Sequence, residues 1–143
     1  MVIGIIGENC SGKSTLADEI KKKIGAEIIT GKDYLRMAKS ESEAKALFQK
    51  KMENAVNGDN LIYVISDREH LELLPAGAKK ILVSADLDTI KERFKARLHG
   101  NLPAPVELML VKKHGMFDNE PVDFKYDGVN GNAYMLCESL EVN

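Results

Sequence analysis

Gly7-Glu8-Asn9-Cys10-Ser11-Gly12-Lys13-Ser14 carries the clearest chemistry in the chain. The spacing fits G-x-x-x-x-G-K-[ST], a phosphate-binding loop. Its two glycines let the backbone turn tightly and approach a phosphate with no side chain in the way. Successive backbone N–H groups then converge on one concavity, and the positive end of the following helix adds to it. Lys13 supplies a point charge for outer phosphates, and the Ser14 hydroxyl is placed to ligate a magnesium ion held by them. The nucleotide contacts expected are therefore Gly7, Glu8, Asn9, Cys10, Ser11, Gly12, Lys13, Ser14 and Thr15. Cys10 has two readings: a small side chain that suits the loop, or a thiolate favoured by the loop's positive potential.

Arginine usage is the second signal. The 20 basic residues include only four arginines: Arg36, Arg68, Arg93 and Arg97. Arginine offers phosphate a planar, permanently charged fork that lysine cannot reproduce. All four fall just after predicted strands or on the helix behind one. For Arg93 and Arg97 the alternative is ordinary i,i+4 pairing on a helix face. Asp67 closes an apolar run, where an acid can assist Ser14 in holding magnesium; it is also placed to cap the segment Arg68 to Leu74. Asp33 follows another strand and can position or deprotonate an acceptor hydroxyl, or cap a turn. His70, His99 and His114 show no metal-ligand spacing and read as surface or helix-end residues.

These residues need a frame. Val2 to Ile6, Leu61 to Ile65 and Lys80 to Ser84 are largely apolar runs, as in parallel strands covered on both faces. Glu27 to Thr30 reads as a strand, and Val122, Phe124 and Tyr126 alternate like a short last one. Between them lie helical patterns. Leu16, Ala17, Ile20 and Ile24 share a face that Gly25 ends. Ser40 and Glu43 have capping-box spacing ahead of Ala44, Leu47, Phe48, Met52 and Ala55. Asp88 is placed to cap a helix through Ile90, Phe94 and Leu98, Pro105 suits the first turn of a helix ending near Gly115, and Asn132 to Leu140 forms a last helix. Five strands alternating with helices imply a parallel sheet with helices on both faces and right-handed crossovers. Ligands bind at the carboxyl ends of such strands.

Composition bounds the function. A chain of 143 residues with 44% hydrophobic and 29% charged residues is expected to form one globular α/β domain, 1–143. A net charge of −2 offers no field for nucleic acid or an anionic membrane surface. No apolar run is long enough to span a bilayer, and there is no basic, apolar signal-peptide pattern at the N-terminus. Two cysteines, Cys10 and Cys137, make no disulfide framework, which suits a reducing, cytoplasmic setting.

Together the pieces resemble the nucleoside and nucleotide kinases among P-loop proteins, the cytidylate-kinase-like branch especially. Thr30-Gly31 followed by Tyr34 and Arg36 looks like that family's T-G-x-x-Y-R segment with one extra residue. Asp67-Arg68-Glu69 resembles its G-R-D segment with the charges shuffled. The strand and helix from Lys80 to Leu98, with Arg93 and Arg97, look like the approach to its lid. The resemblance implies a three-layer P-loop kinase fold of the adenylate and shikimate kinase type. It also implies a short acceptor-side helix at about 37–58 and a lid-like segment at about 98–120. The activity implied is ATP- and Mg2+-dependent transfer of the γ-phosphoryl group, with a nucleoside monophosphate the leading acceptor. Lys13, Arg93 and Arg97 would then be catalytic, Arg36 and Arg68 would hold the acceptor, and Ser14 with Asp67 would hold the metal. Ile29 stands where the family has an acid before Thr-Gly, and Lys112 and Lys113 replace its second lid arginines. Shikimate and gluconate kinases share the layout and place an acid after the second strand, as Asp33 is placed here. A metabolite hydroxyl kinase with Asp33 as base, or a non-catalytic nucleotide-binding module, are the alternatives.

Overall fold

The computed structural model describes residues 1–142. Five strands, β1 (Val2–Ile6), β2 (Glu27–Thr30), β3 (Leu61–Ile65), β4 (Lys79–Ser84) and β5 (Phe124–Asp127), pair in parallel in the order β2-β3-β1-β4-β5. Every residue of β1 and β3 is buried, because the helices cover both faces of the sheet centre. The register runs Val2 opposite Leu61 and Ile3 opposite Lys79, so the carboxyl ends of β1, β3 and β4 come level at one edge. The last strand begins at Phe124, two residues later than Val122.

The strand pleat divides the core in two. On one face Ile3, Ile5, Ile62 and Val64 meet Leu16, Ala17 and Ile20 of α1 (Lys13–Ile24). On the other face Val2, Ile6, Tyr63 and Ile65 meet Ala44, Phe48 and Met52 of α2 (Glu41–Ala55). Ser40 Oγ accepts the Glu43 N–H at 3.2 Å, so the cap read from the sequence starts α2. Leu47 shares the expected apolar spacing but is 50% exposed, since the buried stripe is narrower than the sequence pattern. Gly25 terminates α1 with φ 70°, a left-handed value suited to glycine.

Behind β4 the helix is α3 (Leu87–Arg97), capped by Asp86 rather than by Asp88. Asp86 Oδ2 accepts the Thr89 N–H at 3.0 Å and Oδ1 the Thr89 hydroxyl at 2.7 Å. Asp88 sits inside the first turn, where its charge favours the helix dipole. After α3 comes α4 (Ala104–Lys113), with Pro105 in its first turn. The chain closes with α5 (Ala133–Val142), where Asn132 Oδ1 accepts the Met135 N–H at 3.2 Å. On α5, Leu136, Cys137 and Leu140 complete the α1 face of the core. Two 3-10 turns, Asp33–Met37 and Arg68–Leu73, follow β2 and β3. Asp67 precedes the second of them but makes no side-chain cap. Among the described residues no helix is long and apolar enough to cross a membrane.

Candidate active site

The loop between β1 and α1 closes in steps. Gly7 N–H donates to Ile65 O at 3.1 Å, tying the loop to the end of β3, and Ser11 N–H donates to Glu8 O at 3.1 Å. A Cβ on Gly7 would lie 2.5 Å from Val83 O and 2.6 Å from Ser11 Oγ, so only glycine fits. Gly12 turns the chain into α1 with φ 112°. Cys10 also takes a left-handed φ, 64°, a strained value for a residue with a Cβ. Its side chain is buried in a small apolar cluster with Ala85, Ile90 and Leu110, which holds that conformation in place. Its burial there accords with the reading of Cys10 as a small side chain that suits the loop.

Lys13 begins α1 and is only 6% exposed. Its Nζ donates to Glu8 O at 2.6 Å, so the ammonium folds back over its own loop. Burial pushes its pKa down to about 8 and Arg97 adds to the effect, while Cys10 foremost, then the carboxylates of Glu8 and Asp67, oppose it. Ser11 Oγ is buried with no hydrogen-bond partner among the described residues. A cavity of about 550 Å3 opens over Gly12, Lys13, Ser14 and Thr15 and reaches Thr30, Ser66 and Arg97. A buried lysine and the N-terminal turn of α1 opening onto this cavity fit a polyphosphate, while Ser11 itself does not line it. For a phosphate-held magnesium, the Ser14 hydroxyl lines the cavity directly. Asp67 is exposed; its charge acts on Lys13, but Ser66, not Asp67, lines the wall.

The arginines divide. Arg97 borders the cavity. Arg93 borders it too, yet both its Nη atoms are committed. Nη1 donates to Cys10 O at 3.1 Å and Nη2 to Gly128 O at 2.8 Å. Arg93 thus clamps the phosphate loop to the loop after β5 with one N–H from each Nη, and its other N–H donors remain at the border of the cavity. A side chain on Gly128 would collide with Ser11 O, so the two loops touch backbone to backbone. Arg68 Nη2 donates to Met116 O at 2.7 Å, across the chain end of α4.

Asp33 and Arg36 lie on the first 3-10 turn, exposed, and neither lines the phosphate cavity. Beside that turn is a second cavity of about 450 Å3, walled by Lys32, Lys45, Glu41, Glu69 and Glu72 over Tyr34 and His70. His70 lies in the last turn of the second 3-10 segment, as a helix-end residue, but at 4% exposure it is not on the surface. It packs edge-on to Tyr34, ring centroids 6.4 Å apart, and Tyr34 stacks on Phe48 at 5.1 Å. His70 Nδ1 has no partner among the described residues. A 3-10 turn has no helical period to flag such a residue. A larger cavity, about 860 Å3, lies at the opposite edge of the sheet. Three of its polar side chains are spent on structure: Lys51 pairs with Glu27 at 2.9 Å, and Asn60 Nδ2 donates to Ile24 O and Gly25 O.

The sheet order, the loop after β1 and the helices on both faces define the P-loop small-molecule kinase fold. Solved structures agree over nearly the whole chain. A sugar kinase from Janibacter sp. HTCC2649 aligns with TM-score 0.65 and 17% identity, over 99% of this chain and 92% of its own. A shikimate kinase from Bacteroides thetaiotaomicron gives TM-score 0.65 and 13% identity, over 99% and 98%. The deoxyadenosine kinase of M. mycoides, solved with bound dATP, gives 0.55 and 19%, over 99% and 98%. No family model and no curated protein matches the chain.

Proposed function

We propose that the protein is an ATP- and Mg2+-dependent phosphotransferase that moves the γ-phosphoryl group to a hydroxyl of a small metabolite. The observation that carries this reading is the buried Lys13 at the head of α1, beneath a loop that excludes side chains at Gly7. Phosphoryl transfer asks for positioning and charge neutralisation rather than covalent chemistry from the protein. The backbone N–H groups of Gly12, Lys13 and Ser14 and the Lys13 ammonium hold the donor phosphates. Ser14, with Asp67 acting from the second sphere, would hold the magnesium, which supplies charge neutralisation between the phosphates. Arg97 meets charge that develops on the transferring group.

The polar cavity beside the first 3-10 turn supports the choice of a hydroxyl acceptor. Its charged walls are two lysines and three glutamates, a poor host for a dianionic monophosphate and a good one for hydroxyls. Asp33, on the turn that supplies Lys32, Tyr34 and Leu35 to that cavity though it does not line the cavity itself, is the candidate base for a hydroxyl nucleophile. A nucleoside monophosphate acceptor is the second reading, supported by Arg36 on the same turn. ADP release measured with Mg·ATP across hydroxylated metabolites, nucleosides and nucleoside monophosphates tests both. Release with a hydroxylated acceptor, lost in Asp33→Asn, supports the first. Release with a monophosphate, retained in Asp33→Asn and lost in Arg36→Ala, supports the second. ADP release with none of them beyond the water background makes the protein a nucleotide-binding module.

A further inference from the structure

Glu8 belongs to the phosphate loop, yet its side chain does not line the phosphate cavity. It borders a separate cavity of about 460 Å3 on the far side of the loop, with Asp86, Asp118, Asp127 and His114. A carboxylate among carboxylates needs donors, and Glu8 finds them at the end of α4. Its Oε2 accepts the Gly115 N–H at 3.1 Å, and its Oε1 lies 3.0 Å from His114 Nδ1. The Glu8 side chain is 13% exposed; its bond to Gly115 N–H is partly buried and its contact with His114 is open to solvent. Asp86 and Asp127 are occupied elsewhere, as the cap of α3 and as acceptor from Val129 and Asn130 N–H. Gly115 turns with φ 80°, a left-handed value that favours glycine where its N–H meets Glu8.

The backbone of Glu8 faces the other way. Its carbonyl accepts Lys13 Nζ at 2.6 Å and Ser11 N–H at 3.1 Å. One residue therefore stands between the lysine that must meet phosphate and a helix end 107 positions along the chain. That helix follows directly on α3, which carries Arg97. The connection between them contains two left-handed residues, His99 at φ 60° and Gly100 at φ 91°.

We propose that Glu8 is a positioning residue that couples occupancy of the phosphate loop to the end of α4. Phosphate entry draws Lys13 Nζ off the Glu8 carbonyl, the Glu8 backbone re-seats, and the carboxylate carries that change to Gly115 and His114. The proposal rests on the donor-site reading above. Amide hydrogen exchange tests it on wild type, Glu8→Gln, Glu8→Asp and Glu8→Ala, each alone and saturated with Mg·AMP-PNP by its own titration. In wild type the nucleotide should slow exchange at Gly115 and across residues 104–116 by about tenfold or more. Glu8→Gln keeps an acceptor oxygen and should keep that response. Glu8→Ala should bind nucleotide without it. Glu8→Asp, which withdraws the carboxylate by one methylene, should lose it too and replaces the alanine variant if that one fails to fold. An equal response in Glu8→Ala or Glu8→Asp, or none in nucleotide-bound wild type, overturns the coupling alone. Wild type that binds no Mg·AMP-PNP overturns the donor site and the coupling with it.

Discussion

Lys13 and Cys10 show how far single residues depend on the fold around them. An ordinary lysine has a pKa near 10.5; burial of Lys13 brings it to about 8. Bound phosphates favour the ammonium and raise that value again. Below pH 8 the lysine is already charged, so nucleotide affinity should be flat with pH. Above pH 8, binding must take up a proton, so affinity should fall as pH rises. Calorimetric titration with Mg·AMP-PNP in buffers of different ionisation heat reads that uptake directly. The unfolded chain holds this proton up to its ordinary pKa, so between about 8 and 10.5 it binds more protons than the native state. Lys13 therefore makes the nucleotide-free protein more stable, not less, as pH rises through that window. The lysine was legible in the sequence because its loop has a fixed spacing. Left-handed Cys10 was not, because the signal for such a φ is glycine, and here a buried apolar cluster does the work of one.

Among the elements, α3 separates two arginines that the sequence treats alike. Arg93 and Arg97 lie one turn apart, and the family resemblance assigns both to phosphate, with pairing along the helix face as the alternative. The fold spends Arg93 on two carbonyls, Cys10 O and Gly128 O, that only the topology brings together. We expect Arg93→Ala to lower the melting temperature and raise hydrogen exchange in residues 128–131, having left two carbonyls without donors. Arg97→Ala should leave the melting temperature near wild type and lower turnover, by about 1.5–3 kcal/mol in activation free energy if it meets a developing charge. Melting curves with steady-state kinetics on both variants check the division. A melting loss for Arg97→Ala and none for Arg93→Ala would reverse the roles. Caps behaved similarly. Ser40 was readable because its partner is three residues away, whereas Asp86 and Asp88 both offer a carboxylate before α3 and only the backbone chooses between them.

Across the whole molecule the sheet was the most legible feature. Continuous apolar runs, helical spacing between them and short connections left few topologies open, and the observed order β2-β3-β1-β4-β5 is among them. What remained hidden were contacts between segments remote in the chain, such as Glu8 with Gly115 and Arg68 with Met116, and the burial of His70 under the 3-10 turns. These depend on how the layers dock, which no local pattern records. The central claim is that the loop from Gly7 to Ser14 holds the phosphates of a nucleotide around Lys13. Isothermal titration of Mg·ATP into wild type and Lys13→Ala at pH 7, with circular dichroism to verify folding, tests it most directly. One site per chain in wild type, weakened by about 3 kcal/mol or roughly a hundredfold in a folded Lys13→Ala variant, is the expected result. No binding to wild type, or equal binding to both proteins, would contradict it.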